Sequence, residues 1–275
     1  MGELALISIE GNTVDLLEQD WEILIIIDAT RYDVFEETYK KILHKKGDLK
    51  KAKTFASCTF DWMNGNLNNK DCSDIIYIDP IIMFENYVPK NNFFHIEKVW
   101  KTKWDYEYGT ILPESITDSA LELMKKHTDK RFIVHYHQPH PPILLPNFLK
   151  IRTRITTPDK VLRRVDKEDE NPTKDIPHFI QGNMRRFLGS ENAWKLLIKL
   201  GIDPLDGAGQ MYKHLGMEEM IRGYKENLKL VLKDINRIID SQNKKIVITA
   251  DHSYNYDRSR KKVNKSPVPW YEVIH

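Results

Sequence analysis

Three short aliphatic runs that each end at ionisable residues constrain the fold of this chain more than any other feature. The runs are rich in Ile, Val and Leu, which is typical of parallel strands buried on both faces. They span residues 22–27, 132–135 and 246–249. A fourth, shorter strand is indicated at residues 75–78, and it ends at Asp79-Pro80.

Helices are predicted between these strands. Apolar residues recur at helical spacing over residues 34–42, 114–127 and 218–240. Strands that alternate with helices in this way predict an α/β fold. We expect a three-layer sandwich, with helices on both faces of a mostly parallel central sheet, and a single domain over residues 1–275.

The segment from Lys150 to about Gly216 interrupts the alternation. It begins with mixed charges and prolines and then becomes amphipathic, with Phe187, Trp194 and Leu197 among its apolar residues. We expect a helical insertion on the sheet, suited to act as a lid, and not a second domain with its own core.

The composition excludes several classes of protein. With 41% hydrophobic and 30% charged residues, the 275-residue chain is too apolar for a disordered protein. Its longest strongly apolar run, 23–27, is far shorter than the roughly 20 residues of a membrane-spanning helix. Glu3 and the lack of a basic leader indicate no secretory signal, and Cys58 and Cys72 cannot form a disulfide framework. We therefore expect a soluble cytoplasmic protein.

The charge pattern does not favour a nucleic-acid partner. The formal net charge is only +2, which commits the chain to neither nucleic acid nor a membrane surface. A basic run at residues 258–265 can track a phosphate backbone. No recognition motif accompanies that run, so a solvated loop is the better interpretation.

The ends of the strands carry the candidate site residues. Asp28 follows the first run, and Asp251-His252 follows the last. In α/β folds, ligands bind beyond the carboxyl ends of the strands. A carboxylate next to an imidazole suits Zn²⁺ or Mn²⁺. Taken singly, however, Asp28 also fits a helix N-cap, and Asp251-His252 fits a polar turn.

The stretch HYHQPHPP places three histidines at the end of the third strand. His135 and His137 share one face of an extended strand, and we expect one of them to be a buried structural residue. His140 lies between prolines that restrict its position, so it is the better functional candidate.

The stretch FASCTFDWM supplies three candidate nucleophiles, Ser57, Cys58 and Thr59. The same residues also fit the N-terminal cap of a helix. Cys58 is not favoured, because no basic residue lies near it in the sequence to lower its pKa.

Taken in order, these motifs resemble the alkaline phosphatase and sulfatase superfamily, and in particular small sulfatase-like proteins of archaea. The resemblance runs from residue 21 to the C-terminal region and leaves the insertion poorly covered. The matching segments are ILIIIDATRYDVF, SCTFDW, VWKTKWDYEYGTILPESIT, FIVHYHQPHPP, GYKENLKLVLKDI, IVITADH and PVPW.

The resemblance implies a role for each of five residues. Asp28, Asp251 and His252 correspond to metal ligands, and Thr59 corresponds to a metal-bound nucleophile. His140 corresponds to the histidine that contacts the substrate oxyanion or a second metal. Direct coordination to a divalent cation activates a hydroxyl nucleophile.

Arg31 lies three residues after Asp28. We expect it to orient that carboxylate or to bind the anionic group of the substrate.

The sequence departs from the two-metal members of that superfamily. They carry an aspartate four residues before the middle histidine, where this chain has Tyr136, and a further histidine after the Asp-His pair. Ser253 also replaces the usual glycine. The resemblance therefore implies one divalent cation, Zn²⁺ or Mn²⁺ ahead of Ca²⁺ or Mg²⁺, and an incomplete second metal site.

The resemblance, together with these residues, implies a metal-dependent hydrolase of phosphate or sulfate esters that works through a covalent threonine intermediate. The expected substrate is a small anionic ester or one linked to a glycan or lipid. Phosphate is favoured, because Thr59 cannot form the formylglycine of sulfatases. A transferase to a sugar or lipid alcohol and a degenerate, anion- or partner-binding protein are the alternatives.

Overall fold

The computed structural model describes residues 7–56, 58–82, 93–149, 190–202, 207–253 and 267–274, and the single positions 158, 184, 188 and 204. The strands are β1 (Ile7–Ile9), β2 (Asn12–Val14), β3 (Ile23–Ile27), β4 (Gly47–Thr54), β5 (Ile75–Asp79), β6 (His95–Lys98), β7 (Trp104–Asp105), β8 (Thr110–Ile111), β9 (Arg131–Tyr136), β10 (Ile246–Thr249) and β11 (Val268–Val273). The helices are α1 (Tyr32–Thr38), α2 (Thr59–Asn66), α3 (Val99–Thr102), α4 (Pro113–Lys126), α5 (Pro146–Leu149), α6 (Ser190–Lys199) and α7 (Gly207–Ser241), with a 3₁₀ turn at Tyr39–Lys41.

The fold is a mixed α/β architecture built on one large sheet. Among the described residues, nine strands form this sheet in the order β2-β1-β4-β11-β10-β3-β9-β5-β6. Strands β10, β3, β9, β5 and β6 run parallel, whereas β11, β4, β1 and β2 join them through antiparallel pairs. The prediction of a mostly parallel sheet is therefore wrong, because half of the strand pairs are antiparallel.

Two hydrophobic cores cover the two faces of the sheet. Alternate residues of a strand point to opposite faces of the sheet. Ile23, Ile25 and Ile27 of β3 therefore pack on one face, with α1, α4 and α7. We call this face of the sheet the α7 face. Leu24 and Ile26 pack on the opposite face, which we call the α2 face. Their neighbours there are Trp62 and Met63 of α2 and Leu67, which follows α2. The α2 face continues past the strand ends into the candidate site.

Helix α7 is the longest of the described helices, and it confirms the helix predicted over residues 218–240. Gly216 interrupts it with a φ of 74° and a ψ of 173°, a conformation that glycine adopts readily. The part after this break packs the apolar stripe Leu228, Val231, Leu232 and Ile235 on the α7 face.

The helical insertion expected at 150–216 lies mostly outside the described residues. Helix α6 is its best-described part, and Trp194 of α6 packs against Tyr212 of α7 with ring centroids 5.5 Å apart. Among the described residues, no helix is both long enough and apolar enough to span a membrane. The single-domain assignment stays a prediction.

Candidate metal and nucleophile site

The three strand ends that carry ionisable residues meet at one edge of the sheet. Strand β3 pairs with β10 on one side and with β9 on the other, all parallel. Asp28, Asp251 and the β9 histidines therefore converge there, as the sequence predicted. Asp28 is only 3% exposed and Asp251 is fully buried.

Both carboxylate oxygens of Asp251 accept hydrogen bonds. Its Oδ1 accepts the backbone N–H of Ala29 at 2.9 Å and of His252 at 2.8 Å. Its Oδ2 accepts the hydroxyl of Thr59 at 2.6 Å. Asp251 thus joins the turn after β3 to the nucleophile candidate.

Asp28 faces histidines on two sides. Its Oδ1 lies 3.3 Å from His252 Nε2, and its Oδ2 lies 3.7 Å from His137 Nδ1. Within the described residues, Asp28 Oδ1 is buried without a hydrogen-bond partner. Asp28 is not the N-cap of α1, because that position belongs to Arg31.

Helix α2 places Thr59 at this edge. Cys58 has extended backbone angles and is the N-cap, so Thr59 is the first helical residue. Buried Trp62 and Met63 fix the helix against the α2 face. Cys58 is exposed as a residue, but desolvation of its thiol and the nearby Asp61 carboxylate raise its pKa, which agrees with the preference for Thr59. Ser57 lies outside the described residues.

The charges in the site compensate one another. Burial by itself raises the pKa of Asp28, but the contact with His252 and the charges of His140 and His252 hold it well below its usual range. Burial by itself lowers the pKa of His252, but Asp251 and Asp28 outweigh it and raise the pKa to about 9. Without a metal, His252 is therefore the cation that neutralises Asp28.

The residues present fit a divalent cation. Candidate ligand atoms of Asp28, Asp251 and His252 lie within 4.8 Å of one another. Two buried carboxylates at this distance need a cationic partner, and the 3.3 Å contact of Asp28 Oδ1 with His252 Nε2 is an ion pair without the geometry of a hydrogen bond. Carboxylate and imidazole ligands suit Zn²⁺ or Mn²⁺.

The two strand histidines differ in role. His135 is fully buried, and the Tyr77 hydroxyl lies 2.7 Å from its Nδ1, which confirms that one histidine of the pair is a buried structural residue. His137 lies at the end of β9 beside Asp28 and was not among the predicted site residues. The sequence signal for His137 was the alternation of side chains along β9, because it places His137 on the same face of the sheet as Asp28.

The loop that carries His140 is held by buried amides. His140 Nδ1 lies 2.9 Å from the carbonyl of Pro141, and the Gln138 side chain donates to the carbonyl of Ile111 at 3.0 Å. Asn227 of α7 accepts the N–H of Leu144 at 2.8 Å and donates to the carbonyl of Pro142 at 2.9 Å. The position of His140 thus depends on the long helix as well as on its flanking prolines.

Tyr224 of α7 holds the turn that follows β3. The Tyr224 hydroxyl donates to the carbonyl of Ala29 at 2.8 Å and accepts the N–H of Arg31 at 3.3 Å. Ala29 has a φ of 55°, a left-handed conformation that is unfavourable for alanine. The Arg31 guanidinium forms a two-point ion pair with Asp33, and its expected contact with Asp28 or substrate stays a prediction.

The sequence matches no protein-family model and no curated protein. Among solved structures, the chain is similar to a protein in the alkaline phosphatase superfamily from Vibrio parahaemolyticus, at a TM-score of 0.48 and 11% identity. It is also similar to the integral membrane protein lipooligosaccharide phosphoethanolamine transferase A (EptA) from Neisseria meningitidis, at a TM-score of 0.44 and 9% identity.

Each similarity covers 93% of this chain, but the chain spans only 60% of the first protein and 47% of the second. Similarities of this degree assign neither a family nor an activity to the chain. The narrower likeness to small archaeal proteins stays a prediction.

Proposed function

We propose that this chain is a metal-dependent enzyme that cleaves phosphate esters through a covalent intermediate on Thr59. One observation carries the proposal. The Thr59 hydroxyl donates to Asp251 Oδ2 at 2.6 Å, inside a cluster whose ligand atoms can hold a divalent cation. Thr59 does not cap α2, since Cys58 is the N-cap, and its hydroxyl is directed at a buried carboxylate of the cluster.

In the first half-reaction, Thr59 Oγ1 forms a bond to phosphorus while the bond from phosphorus to the leaving oxygen breaks. The hydroxyl proton moves from Thr59 Oγ1 towards Asp251 Oδ2, which already accepts its hydrogen bond, and ends on the leaving oxygen through solvent. When bound, a divalent cation lowers the pKa of such a hydroxyl and neutralises charge on the phosphoryl oxygens. Asp28, Asp251 and His252 are the residues that would hold it.

In the second half-reaction, an oxygen nucleophile attacks the phosphothreonine and releases Thr59. Water as the nucleophile gives a hydrolase, and an acceptor alcohol gives a transferase. Both reactions share the first half, so the site supports them equally. The proposed substrate is a small anionic phosphate ester, free or attached to a glycan or lipid, and the proposed location is the cytoplasm.

The covalent intermediate can be tested directly. Wild type, Thr59→Ala and Thr59→Ser are loaded with Mn²⁺ or Zn²⁺, incubated with chromogenic phosphomonoesters and phosphodiesters, quenched in acid and analysed by mass spectrometry. We expect a phosphoryl adduct on Thr59 in wild type, a weaker one on the serine of Thr59→Ser, and none in Thr59→Ala, with turnover lost in Thr59→Ala alone. Full activity in folded Thr59→Ala would contradict the proposal.

The same assay separates the alternatives. An increase in turnover on addition of glycerol or a sugar alcohol, with the phosphoryl group recovered on that alcohol, identifies a transferase. Metal binding without any adduct or turnover, across both substrate classes, would favour a degenerate protein that binds an anion.

A further inference from the structure

A row of three ring side chains, Tyr77, His135 and Trp62, crosses the α2 face next to the candidate site. The Tyr77 hydroxyl lies 2.7 Å from His135 Nδ1. The rings of His135 and Trp62 lie 6.2 Å apart between centroids, with their planes at 69°. All three side chains are fully buried. The row therefore joins β5 and β9 to α2, the helix that begins with Thr59.

The row lies beside the ends of the strands that carry the candidate metal ligands. In the sheet, His135 is in register with Ile26 of β3, which is in register with Thr249 of β10. Asp28 and Asp251 follow two residues later in these strand directions, about 7 Å further along the sheet. Among the described residues, His135 is not a candidate metal ligand. Its influence on the site therefore runs through the residues that it contacts.

Trp62 is the member of the row that links it to the nucleophile candidate. It follows Thr59 by three residues on α2, and residues at this spacing lie on the same side of a helix. The bond from the Thr59 hydroxyl to Asp251 Oδ2 is 2.6 Å long. A shift of α2 by about 1 Å would stretch this bond beyond the usual length of about 2.5–3.0 Å. The position of Trp62 on the sheet therefore decides whether Thr59 meets Asp251.

The row is more polar than packing alone requires. His135 Nε2 and Trp62 Nε1 are buried, and among the described residues neither atom has a hydrogen-bond partner. A buried polar atom without a partner costs about 1–3 kcal/mol. Leu24, Ile26 and Ile133 on the same face are aliphatic, and an aliphatic residue at 135 would avoid this cost. A ring that is hydrogen-bonded to Tyr77 has one fixed orientation, which an aliphatic side chain does not offer.

We propose that His135 is a positioning residue for the nucleophile. Held in one orientation by Tyr77, it fixes Trp62 and with it helix α2 on the sheet. The Thr59 hydroxyl is thereby kept on Asp251 Oδ2. This inference rests on the proposed function and deepens it, because it assigns part of the rate of the first half-reaction to a residue that touches neither substrate nor metal.

Four variants separate orientation from simple packing. His135→Leu removes both ring nitrogens, whereas His135→Asn keeps a polar atom near the position of Nδ1 that the Tyr77 hydroxyl can still bind. Tyr77→Phe removes the hydroxyl and leaves the imidazole in place. The control is Val247→Ala, which removes aliphatic packing from the same face on β10 and is not a member of the row.

Kinetics and hydrogen exchange give independent readouts. Each Mn²⁺-loaded protein is assayed with para-nitrophenyl phosphate and bis(para-nitrophenyl) phosphate for kcat, KM and the rate at which the phosphoryl adduct forms on Thr59. Hydrogen exchange followed by mass spectrometry reports the protection of the α2 amides without any reaction. Urea denaturation gives the stability of each variant, and circular dichroism confirms that it is folded.

We expect kcat and the rate of adduct formation to fall by about 10–100-fold in His135→Leu, since a misplacement of about 1 Å costs up to 100-fold. KM and Mn²⁺ affinity should stay unchanged. Tyr77→Phe should show a smaller fall in kcat, and His135→Asn should recover part of the rate. Exchange of the α2 amides should be faster in His135→Leu than in Val247→Ala, which should keep the kcat of wild type.

The outcomes separate this proposal from the proposed function. Wild-type kcat in folded His135→Leu, or an equal fall in Val247→Ala, would overturn the positioning role and leave the proposed function intact. Absence of an adduct in wild type would overturn the proposed function. In that case α2 exchange decides alone: faster exchange in His135→Leu than in the control supports the positioning of α2, and equal exchange overturns it.

Discussion

Tyr224 and Asn227 lie three residues apart on α7, and each holds one of the two loops that carry site residues. Tyr224 binds the backbone of Ala29 and Arg31, directly after Asp28. Asn227 binds the backbone of the loop that carries His140. Residues three apart project from the same side of a helix, so a helix packed on the α7 face fixes the relative position of ligands on the α2 face.

Replacement of Asn227 by Leu should disturb the His140 loop. The Leu144 N–H and the Pro142 carbonyl would lose their buried partner, which should lower the free energy of unfolding by about 2–3 kcal/mol. Cation binding at the candidate site should weaken as well, because candidate ligand atoms of His140 and Asp28 lie within 4.8 Å of one another. Urea denaturation and Mn²⁺ titration measure the two effects.

The matched control is Asn236→Leu on the same helix. Asn236 also bridges backbone groups, the N–H of His44 and the carbonyl of Ile42, at 2.9 and 2.8 Å. We expect a similar loss of stability in Asn236→Leu with unchanged metal binding. Equal metal binding in the two variants would show that Asn227 acts only on stability.

Replacement of Tyr224 by Phe should act on Asp28. The change removes the hydroxyl that holds the left-handed Ala29 and should lower the free energy of unfolding by about 1–2 kcal/mol. Tyr271→Phe is the control, since its hydroxyl donates to the Lys45 carbonyl at 3.0 Å. Calorimetric titration with Zn²⁺ should show weaker binding in Tyr224→Phe only; the same affinity in both variants would argue against a positioning role.

The metal-free protein should lose stability as the pH rises. The pKa of His252 is raised from 6.5 in an unfolded chain to about 9 in the folded one. A raised folded pKa contributes stability that is fully present below pH 6.5 and is lost as the pH rises through about 9. The loss should amount to about 3 kcal/mol. Urea denaturation at several pH values in the presence of a chelator measures it, and His252→Gln should flatten the profile while His95→Gln should not.

Metal binding should release a proton near neutral pH. A protonated His252 cannot be a ligand, and its pKa of about 9 keeps it protonated at pH 7.5 until metal arrives. Zn²⁺ titrations at pH 7.5 in buffers of different ionisation enthalpy give the number of protons released. We expect about one proton per cation bound by Asp28, Asp251 and His252, and a value near zero would mean that His252 is neutral or does not bind the metal.

The site was largely predictable from local sequence. Each strand core is a short aliphatic run, and an ionisable residue directly after such a run must leave the sheet at its carboxyl edge. This rule places Asp28, Asp251 and His252 at one edge of the sheet, and the resemblance added their roles as metal ligands. Thr59 required the resemblance as well, because its approach to Asp251 is set by the packing of Trp62 on the α2 face.

The remaining features depend on contacts between distant parts of the chain. Strand β4 is rich in lysine and shows little apolar alternation, and it becomes a strand because β11 pairs with it along its length. The Lys50 ammonium lies 3.1 Å from the Glu272 carboxylate across that pair. Asn227 and Tyr224 likewise resemble ordinary helix residues in sequence, since their partners lie in other elements.

The place of β11 in the sheet also affects how the protein can be synthesised. Strands β2, β1 and β4 leave the ribosome early, but β11 lies between β4 and β10. The early strands therefore wait with one edge unpaired until residues 268–273 emerge, and such edges favour aggregation. Lysines on an exposed strand edge oppose pairing with other chains, so the same residues that obscure β4 in the sequence would protect its edge during translation.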